Sequence, residues 1–131
     1  MFTALILSLI LQGPRIAKSN PNGTWQSLSG TQFVLRLNGP DLTVRLVPGS
    51  NPRYVQYEVT LKNDEKEVNT YAGKGFFVAK RDDKECRFET EWSFIVVSDD
   101  RILGQSTDIV PNWENCSITQ KGDAPLDLKK K

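Results

Sequence analysis

Cys86-Arg87-Phe88-Glu89-Thr90-Glu91-Trp92-Ser93-Phe94-Ile95-Val96-Val97 decides the fold. Cys86, Phe88, Thr90, Trp92, Phe94 and Val96 fall on one face. Arg87, Glu89, Glu91 and Ser93 fall on the other. A period of two held over this length is a β-strand with one face in a core and the other in solvent. The stretch also carries one of two cysteines and one of three tryptophans, so the core is expected to build around it.

On either side the pattern repeats in shorter form. Arg81-Asp82-Asp83-Lys84 is a polar turn before it, and Ser98-Asp99-Asp100 closes it. A long strand over 68–80 precedes the first turn, with Gly73 and Gly75 near its middle. Glycine inside a strand marks a bulge or the sharp bend that a barrel needs. Earlier still, short strands are expected over 23–28, 33–38, 42–47 and 54–62, separated by Ser29-Gly30, Asn38-Gly39-Pro40-Asp41 and Pro48-Gly49-Ser50-Asn51-Pro52. Gly and Pro in those turns supply positive φ and withhold ladder donors. After the central stretch come a weaker strand over 101–110, a loop at Pro111-Asn112-Trp113-Glu114, and two last strands over 116–120 and 126–129. Lys121-Gly122-Asp123-Ala124-Pro125 separates these two.

This gives nine short strands and no segment with a sustained helical period. Short connections force antiparallel neighbours, and consecutive hairpins make a meander. Closure of such a sheet removes its exposed edges. The expected fold is therefore all-β, an antiparallel up-and-down meander closing into a small barrel. The alternative is a β-sandwich, which usually needs longer crossovers.

At 131 residues the chain is one domain, and its charged content of 25% is ordinary for a globular protein. A formal net charge of +1 with no basic cluster outside the tail argues against nucleic acid. The apolar run Ala4-Leu5-Ile6-Leu7-Ser8-Leu9-Ile10-Leu11 is too short to span a bilayer. Gly13-Pro14 and the small residues of Ala17-Lys18-Ser19 follow it. Residues 1–19 therefore read as a signal peptide, and 20–131 as a secreted or periplasmic domain without a membrane span. In an exported chain, two cysteines make one disulfide, Cys86–Cys116.

The domain opens with Gly23-Thr24-Trp25 and closes with Pro125-Leu126-Asp127-Leu128-Lys129-Lys130. The first resembles the Gly-x-Trp of the opening strand of lipocalin-like (calycin) barrels, and the second resembles their basic closing strand. The resemblance implies a barrel in which Trp25 plugs one end and Lys129 or Lys130 covers it, an arrangement that cation–π attraction favours. It further implies a small apolar or amphipathic ligand at the opposite end.

There is no histidine, which removes Ser-His-Asp and Cys-His catalysis and the commonest transition-metal ligand. Glu89 and Glu91 read as a solvated outer face, and Asp82-Asp83 and Asp99-Asp100 as acidic turns. The chain is read as a non-enzyme without cofactor or metal, and as a monomer. Phe33, Leu35, Tyr57, Phe76, Trp92 and Phe94 are the expected interior, with Thr90, Ala72 and Gly75 as places where one end opens. The mouth is expected to collect Ser29-Gly30 and the turns at 48–52, 81–84 and 98–101. Tyr54 and Trp113 stand there as binding aromatics, and Tyr71 is a third candidate. The other function compatible with these residues is a filled-core interaction or structural module with no small ligand.

Overall fold

Eight strands follow one another among the described residues, 18–131, of this computed structural model. They are β1 (Gly23–Ser27), β2 (Gln32–Asn38), β3 (Asp41–Leu46), β4 (Tyr54–Asn63), β5 (Thr70–Arg81), β6 (Lys84–Ser98), β7 (Arg101–Asn112) and β8 (Ser117–Lys130). Each pairs antiparallel with its sequence neighbour, and β1 pairs with β8 to close the barrel. The expected meander is therefore the fold, and the sandwich is not. The proposed leader, residues 1–19, lies almost wholly outside the described residues.

β6 alternates along its length, with Cys86, Phe88, Thr90, Trp92, Phe94 and Val96 buried and their neighbours exposed. On either side of it, β5 and β7 carry inward glycines. A Cβ on Gly73 would run into Thr60 O, one on Gly75 into Glu58 O, and one on Gly104 into Ser93 O and Phe94. The sheet curls so tightly there that neighbouring backbones occupy the space of a side chain. The glycines thus serve the bend that the sequence suggested.

Three expectations need correction. First, there are eight strands, not nine, because Lys121-Gly122-Asp123-Ala124-Pro125 continues β8 without a break. Backbone parity explains this. Lys131 N–H bonds Thr24 O at 2.8 Å and Lys130 N–H bonds Asp100 O at 2.9 Å, so odd residues of β8 face β1. The β1 ladder reaches back only to Leu128, so the missing N–H of Pro125 falls on a free edge, where proline costs no ladder bond. Second, β5 turns Tyr71, Gly75, Phe77 and Ala79 inward, so Ala72 and Phe76, both expected inside, face outward. The Arg87 guanidinium covers the outward Phe76 ring at 3.8 Å. Third, the Asp99–Asp100 turn follows β6 and so shares the Trp25 end with the turns after β2 and β4. It does not belong to the mouth.

The Trp25 end is closed. Trp25 is fully buried and its indole N–H donates to Pro21 O at 2.8 Å. The Lys130 ammonium lies 5.6 Å from its ring centroid. Lys130 is therefore the cover, and the exposed Lys129 pairs with Gln26 on the barrel wall. Leu35, Leu42, Leu61, Tyr71, Ile102 and Leu128 fill the space beneath, all with no exposed surface.

Candidate functional site

The opposite end is built differently, because two ladders stop short of it. β6 pairs with β7 only from Trp92↔Ser106 onward, so residues 86–91 have no ladder partner on that side among the described residues. β1 likewise leaves residues 117–127 of β8 unpaired on its side. Residues 107–112 and 117–123 therefore stand out from the barrel as a two-stranded arm. The Thr107 hydroxyl bridges the start of the split, accepting from Glu91 N–H at 2.8 Å and donating to Glu91 O at 3.4 Å. The Cys86–Cys116 disulfide pins the tip, with Cα atoms 5.3 Å apart across a separation of 30 residues. The Lys84 ammonium adds a bond to Glu114 O at 3.4 Å.

Between this arm and β4–β5 lies a pocket of about 550 Å³. Its floor is aromatic. Tyr57 stacks on Phe77 at 5.1 Å, Tyr54 meets both rings edge-on at 5.2 and 5.4 Å, and Phe88 lies 5.7 Å from Phe77. Below it, the Trp92 indole N–H donates to Tyr57 Oη at 3.0 Å, which joins the pocket floor to the filled half of the barrel. Arg53, Lys80 and Arg81 form one side of the rim. Ser106 at the base of the arm and Thr107, Asp108 and Ile109 within it form the other, with Pro111 and Trp113 beyond them.

Tyr54 reaches the pocket because of a bulge. Strict alternation along β4 puts Val55 inside with Tyr57, but the register shifts between Tyr54 and Gln56. Val55 is consequently 50% exposed, while Tyr54 packs against the core. Trp113 is half-buried and also packs on that core. The structure thus brings Tyr54 and Trp113 to one pocket. Tyr71 is not among its lining residues; it is fully buried, with its ring 5.7 Å from Phe94.

Burial raises the pKa of all three tyrosines. For Tyr54 the rise is opposed by the Arg53 charge and reinforced by Asp108. For Tyr57 it is opposed by the nearby Thr90 hydroxyl and by the hydrogen bond from the Trp92 indole. For Tyr71 burial alone acts. The pocket can therefore offer neutral phenols beneath its basic rim. Glu89 and Glu91 stay on the outer face, where Glu91 pairs with Lys74 at 3.5 Å.

The basic rim was not singled out in the sequence, although Arg53 immediately precedes Tyr54 and Arg81 opens the acidic turn. Polar residues in turns carry no periodic signal, so only the closed barrel shows that these two turns meet. Comparison of the chain with protein-family models, with curated proteins and with solved structures finds no match.

Proposed function

We propose that the protein is an exported, lipocalin-like barrel that holds a small amphipathic ligand in the pocket between the β7–β8 arm and the Tyr54–Phe77 floor, as a binding protein rather than an enzyme. One observation carries this: a barrel packed solid at the Trp25 end leaves about 550 Å³ open at the other, floored by aromatic rings. Ligand sites are typically concave, about 300–1,000 Å³ in volume, and apolar with a few convergent polar groups. Export is supported by the disulfide, since such bonds persist in oxidising compartments.

The test uses the neutral probe N-phenyl-1-naphthylamine, followed by its fluorescence. Saturable binding is expected, weakened by Trp113→Ala with little loss of stability. Trp25→Ala should lower stability and leave the affinity of the folded protein unchanged. Absence of saturable binding would instead favour the filled-core interaction module, a reading supported by the solid packing beneath Trp25.

A further inference from the structure

The rim of the pocket is electrically lopsided. Arg53, Lys80 and Arg81 come from adjacent ends of β4 and β5, held together by the Lys80 N–H bond to Arg53 O at 2.7 Å. Across the pocket the only charged lining residue among the described residues is Asp108. Arg45, Lys74 and Arg101 on the barrel wall have carboxylate partners at 3.7, 3.5 and 3.0 Å. Arg53, Lys80 and Arg81 form no ion pair among the described residues.

Three cations without carboxylate partners, set above a floor of rings, define a ligand. Guanidinium groups bind carboxylates through paired, charge-assisted hydrogen bonds. The edge-on and stacked contacts of Tyr54, Tyr57 and Phe77 suit a flat aromatic body of the same kind. Ser106, Thr107 and Asp108 make the facing wall polar, which disfavours a long aliphatic chain. We infer that the pocket selects a compact aromatic carboxylate, its ring over the Tyr54–Phe77 floor and its acid group held by Arg53, Lys80 and Arg81. This rests on the pocket being the ligand site.

Calorimetric titration of the full chain with 2-naphthoate, 2-naphthylmethanol and 2-naphthylmethylamine separates the two claims. These probes share one ring system and differ in charge. The expected result is that the acid binds at least about tenfold tighter than the alcohol, since a hydrogen bond to a charged group is worth about a factor of ten or more. Added salt should weaken the acid and leave the alcohol unchanged. Arg53→Gln, Lys80→Gln and Arg81→Gln together should abolish the preference while alcohol binding persists. Equal affinity for acid and alcohol overturns the inference and leaves the pocket as the binding site. Tighter binding of the amine overturns it in favour of Asp108 as the dominant charge. No saturable binding of any probe overturns both claims.

Discussion

Trp92 joins the two halves of the interior. Its ring is buried between Phe33 at 5.2 Å and Tyr57 at 5.6 Å, and its N–H is bonded. Trp92→Ala should therefore cost about 3–5 kcal/mol. On the opposite face, Glu91→Ala loses one exposed ion pair and should cost less than about 0.5 kcal/mol. Denaturant titration checks the contrast, and equal losses would mean that burial along β6 is not what supports the barrel. Glycines allow a sharper test. Gly75→Ala drives a Cβ into the β4 backbone and should destabilise by about 1–3 kcal/mol. A Cβ at Gly122 meets nothing within 4 Å, so Gly122→Ala should be neutral or stabilise by about 0.5–1 kcal/mol, the ordinary benefit of replacing a strand glycine. If both substitutions shift the unfolding midpoint alike, the tight bend is not the role of Gly75. The face assignment of β6 was legible because every inward residue but Thr90 is apolar and the outward run 87–93 is polar. That of β5 was not, because Phe76 and Phe77 are adjacent and glycines flank Lys74, so either parity looked apolar. Arg87 covering Phe76 on the outside is a diagonal cross-strand contact that no local pattern reveals.

The β7–β8 arm is the element on which the pocket depends. Its outer part is held to β6 by the Thr107 hydroxyl and the disulfide in place of a backbone ladder. A disulfide closing a loop of this length stabilises by roughly 3–4 kcal/mol through loop-closure entropy. Reduction, or Cys86→Ala with Cys116→Ala, should therefore act locally before it acts globally. Amide exchange followed by mass spectrometry should show residues 107–123 losing protection first. Residues 92–98 and 101–106, still laddered to each other, should keep theirs. Uniform loss of protection would mean that the disulfide holds the whole barrel rather than the arm. The cysteine pairing was legible from an even count in a chain that opens with an apolar run. The arm was not. Gly122 and Pro125 are ordinary strand breakers, and they read as a turn because a sequence does not show which edge of β8 lacks a neighbour. The bulge that brings Tyr54 inward is hidden for a similar reason: a register shift between Tyr54 and Gln56 belongs to the pair β4–β5, not to β4 alone.

Taken across the barrel, the interior has a closed half under Trp25 and a half that opens into the pocket, and the chain's three tyrosines are divided between them. Tyr71 belongs to the first; Tyr54 and Tyr57 belong to the second. All three have a pKa raised above the ordinary value of about 10, chiefly by burial. The folded state therefore holds the phenolic proton more tightly than the unfolded state does. By linkage, the stability from these groups is fully present below about pH 10 and is lost as pH rises through the higher folded-state values. Titration followed by tyrosinate absorbance near 295 nm, with circular dichroism in parallel, should show less ionisation at the ordinary value in the intact barrel than in the unfolded chain. The absorbance should then rise together with loss of strand signal. The same chain in denaturant should titrate near 10, as free phenols do. If a third of the amplitude appears at the ordinary value with the barrel intact, one phenol is solvated. Tyr54 is the residue to suspect, because it alone of the three is half-exposed at the pocket. Repeating the titration with 2-naphthoate bound identifies it: a ligand over the Tyr54 ring removes water from that phenol and should push its ionisation still higher, whereas the buried Tyr71 should not respond.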